Sequence, residues 1–183
     1  MCAADRTLSP QLESCASEFR HATEEARNLL TYTDEEMLRK RRRQANWSAL
    51  ECVVHLNLAN QAMLPGLRQA VEAAATSAKP TYRMDFSERF LAWSLEPPAL
   101  IKLKAAKIAE PLETAAPEAV LLEFETLHGQ LIELLHASEG KAIDRQKVKS
   151  PFANMHYNAY SAFRIISAHD RRHLWQARKA LAR

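Results

Sequence analysis

Glycine is scarce in this chain: Gly66, Gly129 and Gly140 are the only three among 183 residues. Runs of alternating β-branched residues bounded by turn signals are missing, while alanine and leucine abound. Both features argue against a sheet protein and leave all-α as the expected class. Cysteine is equally sparse. Cys2, Cys15 and Cys52 form an odd set without zinc-finger spacing, which argues against a disulfide scaffold and suits a reducing cytoplasm; no disulfide is expected. An excess of one charge is missing too. With 25 basic and 22 acidic residues the formal charge is +3, so composition demands neither nucleic acid nor an anionic membrane as a partner. No window approaches the roughly 18 apolar residues of a membrane span, and the opening "MCAADRTLSPQLESC" lacks a basic stretch followed by an apolar one. The expectation is a soluble cytoplasmic protein with no membrane partner, folded as one domain over residues 1–183.

What the chain does have is helical periodicity. Ser9 before Pro10 reads as an N-cap with proline at the first helical position, and Leu12, Cys15, Phe19, Ala22, Ala26 and Leu29 follow at helical spacing to about Thr31. Thr33 before "DEE" caps a short connecting helix that ends in "RKRRR", acidic at its start and basic at its end. Ser48, with Glu51 three residues on, has the capping-box pattern and opens a long helix toward Ala75, with Pro65 expected to kink it. Residues 76–116 carry "AKPTY", "LEPP" and "AEPLETAAP" around one short amphipathic piece, "SERFLAWSL", and read as a long crossover wrapping the bundle. Val120, Phe124, Leu127, Leu131 and Leu134 stripe a third long helix with Gly140 past its end. A fourth is entered after Pro151 and runs to the C-terminus. Four long helices, with a long crossover between the second and third, describe a four-helix bundle, an architecture that builds metal and cofactor sites from facing side chains.

His169 and His173 stand four residues apart in "IISAHDRRHLWQ". A four-residue step on a helix separates side chains by about 40° around the axis and about 6 Å along it, so the two imidazoles share a face. Ala162, Ile165 and Ile166 mark that face as inward, whereas Asp170 and Arg171 are expected to project elsewhere. Two buried imidazoles side by side compete for few acceptors, and a shared divalent cation resolves the competition. A third ligand is expected from a neighbouring helix. His55 is the candidate, because Cys52, Leu58, Ala59 and Ala62 set its face inward. Three neutral imidazoles would leave the ion's charge uncompensated and coordination positions open, which favours hydroxide or thiolate. Glu51, one turn before His55, has two readings: half of the capping box, or a catalytic carboxylate that accepts the imidazole N–H or serves as a base. Gln176, one turn after His173, is a candidate for bonding a ligand or water. Imidazole suits zinc, nickel, iron and copper, with nickel or zinc the expected occupant.

The stretch "NWSALECVVHL", taken with the far downstream "SPFANMHYNAYSAFRIISAHDRRHLWQ", resembles the DinB-like (damage-inducible) family of four-helix bundles. The shared features are Trp-Ser opening the second bundle helix, histidine seven residues after that serine, and H-x-x-R-H-x-x-Q in the last helix. By that resemblance His55, His169 and His173 fall on the family's three metal ligands, and Arg172 and Gln176 on its recurrent neighbours. The crossover "EPPALIKLKAAKIAEPLE" also resembles the family's, with fewer basic and Thr-Pro residues than its usual run. The family includes thiol-dependent transferases, an isomerase and proposed hydrolases. The resemblance therefore implies a divalent-metal-dependent transferase or hydrolase acting on a small molecule, with a low-molecular-weight thiol as a further cofactor. The alternative is a non-catalytic metal or small-ligand binding protein.

Other features have plainer readings. His21, His136 and His156 have no comparable partner, and His128 reads as a hydrogen-bonded histidine at the core edge. Cys52 reads as a small buried hydrophobe rather than a fourth ligand. Arg39 to Arg43 could contact phosphates, yet no docking motif accompanies them and they complement a helix C-terminus. Trp47, Trp93 and Trp175 read as anchors between helices, with Trp47 also placed to wall a pocket. A homodimer is compatible with the crossover, but no sequence feature fixes an interface.

Overall fold

The computed structural model describes residues 7–43, 46–78, 81–98, 106–112 and 115–182, so Cys2 lies outside the described residues, as does part of the crossover. Helix α1 spans Pro10–Thr31 and buries the stripe Leu12, Cys15, Phe19, Ala22, Ala26 and Leu29. The short α2, Glu35–Arg39, is capped by Asp34, one residue later than expected, and ends before Lys40, so most of the basic run lies beyond the helix. Ser48 opens α3, Ala49–Ala73, through the expected capping box. The Ser48 amide donates to Glu51 Oε2 at 2.7 Å and the Glu51 amide to Ser48 Oγ at 3.2 Å. Helix α3 runs through Pro65 and stops two residues short of Ala75. Helices α4, Phe86–Leu95, and α5, Pro117–Ser138, follow. Gly140 then takes a φ of 74°, a left-handed turn that only glycine adopts without strain.

The entry to the last helix differs from expectation. A 3-10 turn at Ile143–Arg145 leads into a two-stranded antiparallel hairpin, β1 Lys147–Lys149 with β2 His156–Asn158, and α6 begins only at Ala159 and runs to Leu181. Val148 and Tyr157 pair across the hairpin and are both buried. Asn158 closes the strand and caps the helix, its side chain accepting from the Ser161 amide at 2.8 Å.

Helices α1, α3, α5 and α6 form the bundle, with α3 against α5 and α6 and α1 against the same two. Helix α4 lies on α6, and the 3-10 turn Lys107–Ala109 lies on α3. The apolar core comes in two parts. One gathers Leu12, Phe19, Met63, Leu67, Leu131, Leu135 and Phe163, the other Ala26, Leu50, Leu56, Phe124 and Leu174. On α3, α5 and α6 the residues between the two parts include buried polar ones: Asn57 and Asn60, His128, and Ser167, Asp170, Arg172 and His173. A polar layer therefore crosses the bundle at mid-height, where each polar group must be satisfied by a neighbour or a ligand. No described helix is long and apolar enough to cross a membrane.

Candidate metal centre

The capping box fixes where α3 begins, and two turns later it delivers His55 to the polar layer. From α6 come His169 and His173, one turn apart on the face turned to α3. One ligand-capable atom from each of the three lies within 4.8 Å of the other two. The rings pack at centroid separations of 5.0 Å for His55 and His169, 4.4 Å for His55 and His173, and 4.5 Å for His169 and His173. Trp47 packs at a tilt against His55, ring centroids 4.7 Å apart, and lies 5.8 Å from the His173 ring, so the tryptophan before the cap walls the site.

Hydrogen bonding sets the chemistry of these nitrogens. His55 Nδ1 lies 2.6 Å from the Ala109 carbonyl and must donate to it, which leaves the Nε2 lone pair facing His169 Nε2 at 3.2 Å. Two nitrogens held at about 2.1 Å by one tetrahedral ion are about 3.4 Å apart, so this pair already has the spacing of shared coordination. His173 Nδ1 is buried with no hydrogen-bond partner among the described residues. An unsatisfied nitrogen in a site this buried is costly unless something binds there. The donor set fits a divalent first-row metal ion, since imidazole suits zinc, nickel, iron and copper alike.

All three imidazoles are held in the neutral form that metal binding requires. Burial lowers the pKa of His55, partly offset by its bond to Ala109. Burial, then repulsion from His55 and Arg172, pushes His169 down to about 3. His173 is lowered well below its usual value by burial first and then by His169, His55 and Arg172, with the Gln176 amide one turn on opposing the shift. Arg172 is itself buried and donates to the Ser94 carbonyl at the end of α4, at 3.3 Å. Its own pKa is lowered by burial.

Glu51 is 8 % exposed. Besides bonding the Ser48 amide, its carboxylate takes a two-pronged bond from Arg41, with Nε 2.9 Å from Oε2 and 3.1 Å from Oε1. Burial would raise its pKa, but the bonds from Arg41 and Ser48 outweigh burial and hold it low. The role of orienting His55 through Nδ1 belongs instead to the Ala109 carbonyl.

Asp170 does not project away from the core: it is fully buried. Its carboxylate lies 3.2 Å from His128 Nε2 and accepts from Asn60 Nδ2 at 3.4 Å, while His128 Nδ1 donates to the Phe124 carbonyl at 2.9 Å. The reason is that α1, α3 and α4 all pack on α6 and leave it little free perimeter. His128 is thus hydrogen-bonded within the core, as expected. Cys15 and Cys52 are free and buried, and burial raises the Cys52 thiol to about 12, which suits packing rather than reactivity. Sequence reasoning missed the Ala109 carbonyl, which has no side-chain signature, and the His128–Asp170–Asn60 network.

Residues 18–177 match the family model of the DinB superfamily, and the chain belongs to that superfamily. No curated protein and no solved structure matches it.

Proposed function

We propose that this member of the DinB superfamily is a divalent-metal-dependent enzyme in which His55, His169 and His173 hold the ion, nickel or zinc. A low-molecular-weight thiol or water would be the nucleophile toward a small electrophilic substrate, making the chain a thiol-dependent transferase or a hydrolase. The observation that carries this reading is the convergence of one ring nitrogen from each of the three histidines within 4.8 Å, with His173 Nδ1 buried and without a hydrogen-bond partner among the described residues. When bound, a divalent cation supplies positive charge that acidifies a coordinated water or thiol. The chain's own residues do the rest. Ala109 fixes the His55 tautomer, Trp47 covers the rings of His55 and His173, and Gln176 supports His173. Arg172 adds positive charge beside His169 and His173 and favours an anionic nucleophile there. Glu51 acts by anchoring the start of α3, and hence His55 one turn on. A reducing cytoplasm fits the free thiols of Cys15 and Cys52, and the unit of function is one domain over residues 1–183.

A non-catalytic metal-binding protein is the second reading. One observation favours it: the carboxylate nearest to His55 in sequence, Glu51, is committed to Arg41 and Ser48. The test is metal content of tag-free protein beside the His169→Ala/His173→Ala variant, followed by thiol-transfer and hydrolysis assays with matched metal. About one ion per chain, lost in the variant, with turnover in either assay, is the expected result. Stoichiometric metal without turnover would favour the second reading, and failure to bind zinc, nickel or manganese would overturn both.

A further inference from the structure

The basic run after α2 lacks the role that its sequence suggests. Helix α2 ends at Arg39, and a helix dipole acts only over its last turn, so it leaves Arg42 and Arg43 unexplained. Two of the five cations have carboxylates of their own: Arg39 pairs with Glu35 at 2.7 Å, and Arg41 pairs with Glu51. Among the described residues, the side chains of Lys40, Arg42 and Arg43 are exposed and make no hydrogen bond or ion pair. The segment that carries them is tied at both ends to the metal centre. Arg41 holds Glu51, one turn before His55, and Trp47 packs against His55 with ring centroids 4.7 Å apart. Between these anchors the Asn46 amide donates to the Arg43 carbonyl at 2.9 Å. Four residues of chain span at most about 14 Å, which bounds the distance from Arg43 to Trp47. Uncompensated positive charge therefore stands beside the tryptophan wall of the site. Glu51, the carboxylate at this end of α3, is committed to Arg41 and the Ser48 amide and does not neutralise it.

Resting on the reading of the centre as an enzyme, we propose that its substrate carries a phosphate monoester, which Arg42 and Arg43 hold at the rim of the site while the rest of the molecule passes Trp47 toward the histidines. Charge matching supports a doubly charged group. A phosphate monoester carries close to two negative charges near neutral pH and offers three acceptor oxygens, and guanidinium groups bind such oxygens in pairs. A carboxylate offers one charge and two oxygens, and leaves part of the rim unmatched. The interior supports it as well. Arg172 is buried and sets positive charge beside His169 and His173, so the potential that an anion meets at Arg42 and Arg43 continues into the centre. A nucleic acid is the poorer match. Three unpaired cations displace about three counterions, which gives weak, sequence-independent binding. The segment's anchors are also the cap and the wall of the metal centre, not a helix presented to a groove.

The test is fluorescence titration of the metal-free full chain with phenyl phosphate, in a Trp93→Phe/Trp175→Phe background that leaves Trp47 as the reporter. Benzoate is the singly charged comparison. The control is Arg68→Gln/Lys149→Gln, which removes two exposed charges elsewhere: Arg68 lies about 20 Å along α3 from His55, and Lys149 follows Val148 of the other core part. A saturable change in Trp47 emission is expected, with a dissociation constant of about 1 mM and weaker binding of benzoate. Arg42→Gln/Arg43→Gln should raise that constant about tenfold with the helical circular dichroism unchanged, and the control should leave it where it was. The proposal is overturned by benzoate binding as tightly as phenyl phosphate, by a titration that the Arg42→Gln/Arg43→Gln variant leaves unmoved or the control weakens equally, or by no saturation up to about 20 mM. A single-stranded oligonucleotide that binds through the two arginines where phenyl phosphate does not bind also overturns it. Because no metal is present, the titration reads the rim alone, and a failure of the metal centre is read separately from metal content.

Discussion

In the metal-free protein, His169→Leu is expected to flatten the fall of stability in mild acid. Burial, followed by repulsion from His55 and Arg172, places the His169 pKa at about 3, whereas an imidazole in the unfolded chain titrates near 6.5. Between those values the unfolded chain binds a proton that the fold refuses. Stability is therefore unaffected by this group above about pH 6.5, falls as pH falls below it, and stops falling near pH 3. The slope approaches about 1.4 kcal/mol per pH unit below the unfolded pKa, so His169 alone costs about 2 kcal/mol between pH 6.5 and 4.5, against the 5–15 kcal/mol that a domain typically has. His55 and His173 are lowered too, and His169 is one cause of the His173 shift, so the difference between the two curves reports His169 together with its coupling to His173. Leucine keeps much of the ring's volume and removes both nitrogens. Urea unfolding of chelator-treated wild type and variant, in steps from pH 7.5 to 4.5, should show the stability gap shifting by about 2–3 kcal/mol in the variant's favour. Parallel curves would refute the reasoning, because they would mean that His169 takes up its proton without leaving the fold.

Zinc at about a hundredfold excess over its dissociation constant should stabilise the chelated protein by about 2.7 kcal/mol, read as a rise in Tm, and should leave His169→Ala/His173→Ala unmoved. Ser48→Ala removes the acceptor of the Glu51 amide and is expected to cost about 1 kcal/mol by chemical unfolding while metal stoichiometry stays the same. Loss of metal in that variant would show that the ion depends on the cap more than His55 does. Arg171→Ala cuts the bonds to Glu96, Glu18 and Ser167 at partly exposed positions, for about 1–2 kcal/mol after allowance for solvent screening. Amide exchange should quicken in α4, and unchanged exchange there would count against Arg171 as its anchor. Gly140→Ala forces a side chain into a φ of 74° and should lower stability by about 1 kcal/mol in thermal melts, although the space around its Cβ is open.

The bundle and its three histidines were legible because both rest on periodicity. Leu12 to Leu29 and Val120 to Leu134 repeat at helical spacing, and the same arithmetic sets His169 above His173 on the face of Ile166. The hairpin was not legible, because "KVK" and "HYN" are too short for alternation to stand out from a helical approach. Asp170 was misplaced for another reason. An amphipathic reading assumes one buried and one wet face, while α6 is covered by α1, α3 and α4, so Asp170 and Arg172 are buried beside His173. Only long-range polar partners make that tolerable, and Asn60 and His128 lie 110 and 42 residues from Asp170. On α4 the inward side carries Leu91 and Leu95 together with Glu88, while Phe86, Phe90 and Trp93 are exposed. Nothing in "SERFLAWSL" indicates that Asn158 and Ser161 will draw Glu88 inward.

The same reasoning connects the crossover to the site. Before the part of the crossover that is not described, Ser94 and Glu96 accept from Arg172 and Arg171, the two residues that precede His173. After it, Ala109 accepts from His55 Nδ1. His55 offers its Nε2 lone pair toward His169 because the proton is held at Nδ1, and the Ala109 carbonyl holds it there. If residues 106–112 left α3, the ring would be free to take the other tautomer, with its proton on the nitrogen that faces His169. An ion bound by His55 and His169 would forbid that tautomer and so favour the docked crossover. By linkage the effect is reciprocal: the factor by which the ion favours the docked crossover is the factor by which docking favours the ion. A bundle whose loops merely joined helices would show no such coupling, so the metal dependence of amide exchange at residues 106–112 reads directly on whether the crossover is part of the site.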